Sequence, residues 1–214
     1  MKKNPNFKMS VLGALCFSLS QFALGQSTAA DIFSSKTSLS WMGVDFTQVK
    51  VLGETGTVST VEMINLFAKI NDVVINESEK YNFKEALNRM EVPYDLDPVT
   101  KANAGIDPDK LLSNSSAEKD RITVKSIDGM VKPYVGGTGI GLVFFMETLD
   151  KPSELGVMWV TFFDRSSGKV LLTEKMSGKA LGFGFRNHWA RPVYEVIKEI
   201  KKSKYKTWKI NFGK

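Results

Sequence analysis

The chain has 214 residues, 43% of them hydrophobic, with 29 Lys and Arg against 23 Asp and Glu, one His and one Cys. That length is enough for one sizeable core, and a single cysteine at position 16 excludes disulfides and thiolate metal sites from everything after it. The excess of positive charge is uneven: from Arg186 onward nine Lys or Arg face only Glu195 and Glu199, so the preceding part of the mature chain is net acidic.

The first 25 residues read as an export signal. Lys2, Lys3 and Lys8 form a basic head, Val11 to Leu24 an apolar body, and Ala23-Leu24-Gly25 a small-x-small cleavage site before Gln26. Ser10, Ser18, Ser20 and Gln21 interrupt the body, which falls short of the roughly 20 apolar residues that span a bilayer, so cleavage is expected and no transmembrane span remains in the mature chain. Cys16 lacks the small preceding residue of a lipoprotein signal, since Leu15 stands there. The expected location is the periplasm or the medium.

Residues 26–37 are rich in Ser, Thr, Ala and Lys and are expected as a flexible lead-in, with a single α+β domain following over 38–214. Ser38 to Leu52 is strand-like, Met42, Val44 and Phe46 lying on one face and Val49 and Val51 on the other, which predicts a bulge around Asp45 to Gln48. Ser59 and Glu62 form a capping box that opens a helix, with Met63, Phe67, Ile70 and Val74 as its apolar stripe. A shorter helix starts at Asn82 with Glu85 at the matching cap position, and carries Ala86, Leu87 and Met90.

Residues 91–116 form a long irregular connection with Pro93, Pro98 and Pro108 and one short helical candidate opened by Asp107-Pro108. Such a loop reads either as a lid or partner-binding arm or as a meandering surface crossover. Residues 119–134 fit both a strand, through Ile122 and Val124, and a helix, through Val124, Ile127, Val131 and Tyr134; the helix is favoured.

Gly141 to Glu147, Val157 to Phe163 and Lys169 to Met176 are three strands in a meander, the last two joined by Asp164-Arg165-Ser166-Ser167-Gly168. The first two are apolar at nearly every position, which predicts central strands covered on both faces. Pro192 suits the first turn of a helix striped by Val193, Val196, Ile197 and Ile200, whose last turn is crowded by lysines. Tyr205 to Ile210 is expected as a lysine-guarded edge strand. The order β-α-α-loop-α-β-β-β-α implies an α+β fold with a mostly antiparallel sheet and helices packed on one or both faces.

The best candidate site is Gly178 to Arg191, where three glycines, Phe183, Phe185, Trp189, Arg186, Asn187, Arg191 and the only histidine, His188, crowd the approach to a helix. Helix N-termini and cations hold carboxylate or phosphate, and the aromatic rings stack on a sugar or base. The plain alternative is a tight glycine turn whose aromatics plug the core. Gly136-Gly-Thr-Gly-Ile-Gly141 mimics a phosphate loop but precedes a strand and lacks the Lys-Ser/Thr ending, so it reads as a flexible lead into that strand. Asp95, Asp97, Asp107 and Asp109 lack calcium-loop spacing, and one His without Cys leaves zinc only carboxylates, so no metal and no cofactor are expected.

Nucleophilic patterns fail on context. There is no Gly-x-Ser-x-Gly elbow; Ser116-Ala-Glu-Lys119 reads as a helix cap and Ser166-Ser-Gly-Lys169 as a hairpin turn. Glu147, Asp164 and Glu174 lie near neighbouring strands, but nothing in the sequence makes any two face across the about 5 to 9.5 Å of a glycosidase pair. The lysine-rich end, with Tyr205, Trp208 and Phe212 interleaved, reads either as a surface for anionic lipid or polysaccharide or as a solvated face; export argues against nucleic acid.

Phe162-Phe-Asp-Arg-Ser-Ser-Gly-Lys-Val-Leu through Gly182-Phe-Gly-Phe-Arg-Asn-His-Trp-Ala resembles uncharacterised secreted proteins of Bacteroidetes. The hairpin with Asp164 and Gly168, followed by glycines and a helix, is also loosely similar to the amino-terminal domain of TolB and to curli-assembly CsgG. The resemblance implies a periplasmic or surface component of a Gram-negative envelope and transfers no active site. The expected function is a non-enzymatic envelope binding or assembly factor, its partner an envelope protein or an anionic glycan or lipid surface. The alternative is a hydrolase of a glycan or peptide with His188 as base.

Overall fold

The computed structural model describes residues 26–53 and 56–214; the predicted signal lies outside the described residues. Strands β1 (Leu39–Asp45), β2 (Lys50–Leu52), β3 (Leu112–Ser113), β4 (Ile140–Asp150), β5 (Leu155–Asp164) and β6 (Val170–Lys179) form one sheet. Helices α1 (Thr60–Asn76), α2 (Phe83–Ala86), α3 (Asp97–Asn103), α4 (Val124–Met130), α5 (Gly184–Glu199) and α6 (Tyr205–Phe212) cover it. The fold is α+β and its sheet is mixed but mostly antiparallel, because the long β4–β5–β6 meander outweighs short parallel pairings of β1 and β2 with β4 and of β2 with β3.

β4 is the centre of the molecule. Every one of its 11 residues is buried. Leu142, Phe144 and Met146 pack with β5 side chains Met158, Val160 and Phe162 beneath α1, α5 and α6. Val143 and Phe145 alternate onto the other face with Trp159 and Phe163, under Val99 of α3 and Ile127 of α4. Period-2 alternation in a strand apolar on both sides therefore builds two cores back to back.

The stretch predicted as one bulged strand is two strands on the same edge of β4. β1 pairs with Ile140–Phe145 and β2 with Thr148–Asp150, with residues 46–49 between them. The bulge itself lies earlier, between Trp41 and Val44, where Gly43 has a φ of +102° and a Cβ would meet Val99 Cγ1 at 2.6 Å. That extra residue turns both Trp41 and Val44 to the outer edge of β1. Trp41 bonds Pro93 and Asp95 there. Val44 receives side-chain amides in place of a strand: its N–H donates to Asn71 Oδ1 at 2.7 Å, and its carbonyl accepts from Asn71 and Asn103 at 3.0 and 3.1 Å. Phe46 N–H completes the set, donating to Asn103 Oδ1 at 2.8 Å.

α1 forms as predicted. Ser59 accepts from Glu62 N–H at 3.2 Å, and Met63, Phe67, Ile70 and Val74 are buried. Asn82 caps α2 through Glu85 N–H, while Met90 lies past that helix and is exposed. The helix predicted within 119–134 is present as α4 with flanking 3-10 turns.

Three expectations need correction. Residues 26–37, expected as a flexible lead-in, are tied to the domain: Ala29–Phe33 is a 3-10 turn, Ile32 is buried, and the Arg89 guanidinium donates to the carbonyls of Asp31, Ile32 and Thr37. The 91–116 connection is built into the domain, since it supplies α3, β3 and the Pro93–Asp95 edge of β1; Asp107-Pro108 opens only a 3-10 turn. Tyr205 to Ile210 is helical rather than an edge strand. A π-helical turn at Ile200–Lys204 re-aims the chain so that Trp208 is buried on Phe162 and its indole N–H donates to Glu174.

Candidate functional site

α5 begins eight residues before Pro192, so the proline sits mid-helix instead of in the first turn. Its place is set by the sheet beneath. Gly156 and Gly178 stand opposite each other on β5 and β6, and a Cβ on Gly178 would lie 2.4 Å from the Pro192 carbonyl oxygen. The paired glycines cut a notch that lets the helix backbone touch the sheet, and the ring of Pro192 fills it beside Gly156.

Because the segment is helical, its side chains part at about 100° per residue. Phe185, His188 and Trp189, at i, i+3 and i+4, turn inward and line a cavity of about 270 Å³. Its other walls are Val51, Val58, the backbones of Gly56, Gly182 and Gly184, and Lys151 from the β4–β5 turn. Phe183, Arg186, Asn187 and Arg191 turn the other way, into a second groove of about 380 Å³ beside Glu77, Lys80 and Tyr81. The seven residues singled out from sequence are thus divided between two sides of α5.

Within the cavity, His188 Nε2 lies 3.4 Å from the Lys151 ammonium, which can only donate, so a hydrogen bond between them requires this nitrogen as acceptor and favours the neutral ring. Burial and then the charge of Lys151 lower the His188 pKa, with the Gly182 backbone and Glu154 opposing them. Its ring packs edge-on against Trp189 at 4.7 Å. Among the described lining residues, Lys151 and His188 are the only ionisable side chains and the Trp189 indole N–H is the one other polar group: there is no hydroxyl, thiol or carboxylate.

On the opposite side of α5, Arg186 Nε donates to Asn187 Oδ1 at 3.0 Å. Arg191 is engaged by Glu195 and by the Tyr194 ring, 4.6 Å from its guanidinium carbon. Phe183 occupies the position before the first turn without any side-chain cap and is 96% exposed.

The remaining candidates have structural partners. Gly137 leads into β4 under the Arg165 guanidinium, which pairs with Asp95. Asp97 lies in the first turn of α3, and Asp107 caps the next turn at Asp109 N–H. Among the described residues no group of three His, Cys, Asp or Glu is arranged for a metal. Ser166 Oγ donates to Asp164, and Lys119 pairs with Asp150. Glu147 is fully buried and accepts from Ile122 N–H, Trp159 Nε1 and Lys175, whereas Glu174 on the opposite face of the sheet accepts from Lys204 and Trp208.

Sequence reasoning missed Lys151. Yet in a β4–β5–β6 meander the β4–β5 turn and the end of β6 lie at one end of the sheet, so the predicted strands already placed it near the glycine-aromatic segment. No protein-family model matches this chain, and neither the curated proteins nor the solved structures contain a match to it.

Proposed function

We propose that this protein is an exported, non-enzymatic binding factor of the cell envelope whose cavity takes a small ligand with an apolar body and one anionic group. The observation that carries this reading is the polar inventory of the cavity: apolar walls from Val51, Val58, Phe185 and Trp189, with one cation, Lys151, beside a neutral imidazole. An apolar pocket with a few convergent polar groups is the usual form of a small-molecule site. A carboxylate there gains a charge-assisted hydrogen bond from Lys151. The hydrolase reading has less support, because Nε2 of His188 already faces an ammonium and no described lining side chain offers a nucleophile. Export rests on the leader-like first 25 residues.

Titration calorimetry with octanoate, octanol and octylamine tests it, with quenching of Trp189 as a second readout. Octanoate binds best, and Lys151→Met lowers its affinity about tenfold while leaving octanol unchanged. Equal binding of octylamine, or saturable binding of none of the three, overturns the ligand class. Mass spectrometry of the periplasmic protein finds an amino terminus at Gln26; an intact leader on cytosolic protein overturns export.

A further inference from the structure

Leu181 and Phe183 flank Gly182 in the turn between β6 and α5, 64% and 96% exposed, while Gly182 and Gly184 line the cavity from within. Gly182 has a φ of +121° and Gly184 of +75°, so the two apolar side chains are carried outward on a turn that needs both glycines. Phe183 stands where Ser, Asp or Asn would stabilise the start of α5, and provides no cap. Neither side chain belongs to a core cluster of the described residues.

The charges around them are mainly positive. Arg186, one turn into α5, is exposed and has no carboxylate within 4 Å among the described residues. Of the acids among the described residues beside this groove, Glu77 is taken by Lys80 and Glu195 by Arg191. Exposed Phe and Leu beside an unpaired Arg is the composition of a segment that seats itself in the boundary of an anionic bilayer, rings among the acyl chains and the cation among the phosphates.

We propose that Leu181 and Phe183 form a wedge that docks this protein on anionic membranes, with Arg186 facing the headgroups. The docking goes beyond the ligand reading and fails separately from it, since octanoate binding in solution needs no membrane.

The test is co-sedimentation of the mature chain with phosphatidylcholine vesicles, with and without phosphatidylglycerol. The expected result is binding to the mixed vesicles and little to phosphatidylcholine alone. Leu181→Ser with Phe183→Ser lowers the binding at least about tenfold, both side chains being exposed and dispensable for folding. Arg186→Gln lowers it about fivefold and reduces its salt dependence. Octanoate affinity of the double variant stays within twofold of the parent, which shows an intact cavity. No sedimentation of the parent, or equal sedimentation of parent and double variant, overturns the proposal. A dimer in solution that disappears in the double variant, without vesicle binding, also overturns it and assigns the wedge to a second copy.

Discussion

Where β1 leaves the sheet, Val44 and Phe46 have no strand on their outer edge, and the amides of Asn71 and Asn103 take its place from α1 and α3. Both asparagines are buried, so the arrangement works only because each amide offers an acceptor and a donor in one plane. Asn71→Ala strands the Val44 N–H away from water and costs about 2 kcal/mol, read as a lower urea midpoint at constant slope. Asn71→Asp gives a sharper test. It keeps the acceptor for Val44 N–H but sets a second acceptor against the Val44 carbonyl, so it is destabilised at neutral pH and partly recovers on acidification, when the protonated carboxyl donates again. A variant indifferent to pH would show that Asn71 matters only for its shape. Neither asparagine stands out in the sequence, because an isolated polar residue on an apolar stripe looks like a break in the stripe.

At the scale of elements, the β4–β5–β6 meander and α1 were readable because their signals are local: alternation, a turn cluster and a cap within a few residues of one another. α5 was misplaced for an equally local reason. The spacing Phe185, Trp189, Val193, Val196, Ile200 runs unbroken through Pro192, but a proline reads as a helix start unless something excuses its missing N–H. The excuse is on other strands, in Gly156 and Gly178, and no window of sequence around Pro192 contains it. Gly178→Ala drives a methyl group into the Pro192 carbonyl and costs about 3 kcal/mol. The control is Gly129→Ala on exposed α4, where nothing lies within 4 Å of the new Cβ and φ is not positive. It stabilises by about 0.5 to 1 kcal/mol through helix propensity and the unfolded chain. Thermal melts with opposite shifts for the two alanines fit the notch; a harmless Gly178→Ala removes it.

For the whole molecule, the parallel additions of β1 and β2 to β4 were hidden because they join residues about 100 positions apart, with all of α1 to α4 in between. Those additions bring the β1–β2 edge, the β4–β5 turn and α5 to one end of the sheet, so the cavity is a product of long-range topology and the His188 environment reports on its integrity. The pKa of His188 is lowered in the folded chain, first by burial and then by Lys151, from an ordinary value of 6.5. The unfolded chain therefore binds the proton more readily, and stability falls as pH drops through about 6.5 toward the folded value. A second loss follows in acid. Burial alone would raise Asp164 and Asp150, but hydrogen bonds from Ser166, Ser27 and Ser167 to the first, and from Lys119 and Ser153 to the second, hold both below the ordinary 3.8. Their contribution is present above 3.8 and is lost as pH falls below it. Urea midpoints measured from pH 7.5 to pH 3 therefore decline in two stages, and His188→Gln flattens the first while leaving the second. Octanoate held by Lys151 places a negative charge near the imidazole and raises its folded pKa, so saturating ligand also shrinks the first stage. A first stage that ignores both the variant and the ligand would mean that His188 and the cavity are not coupled through Lys151.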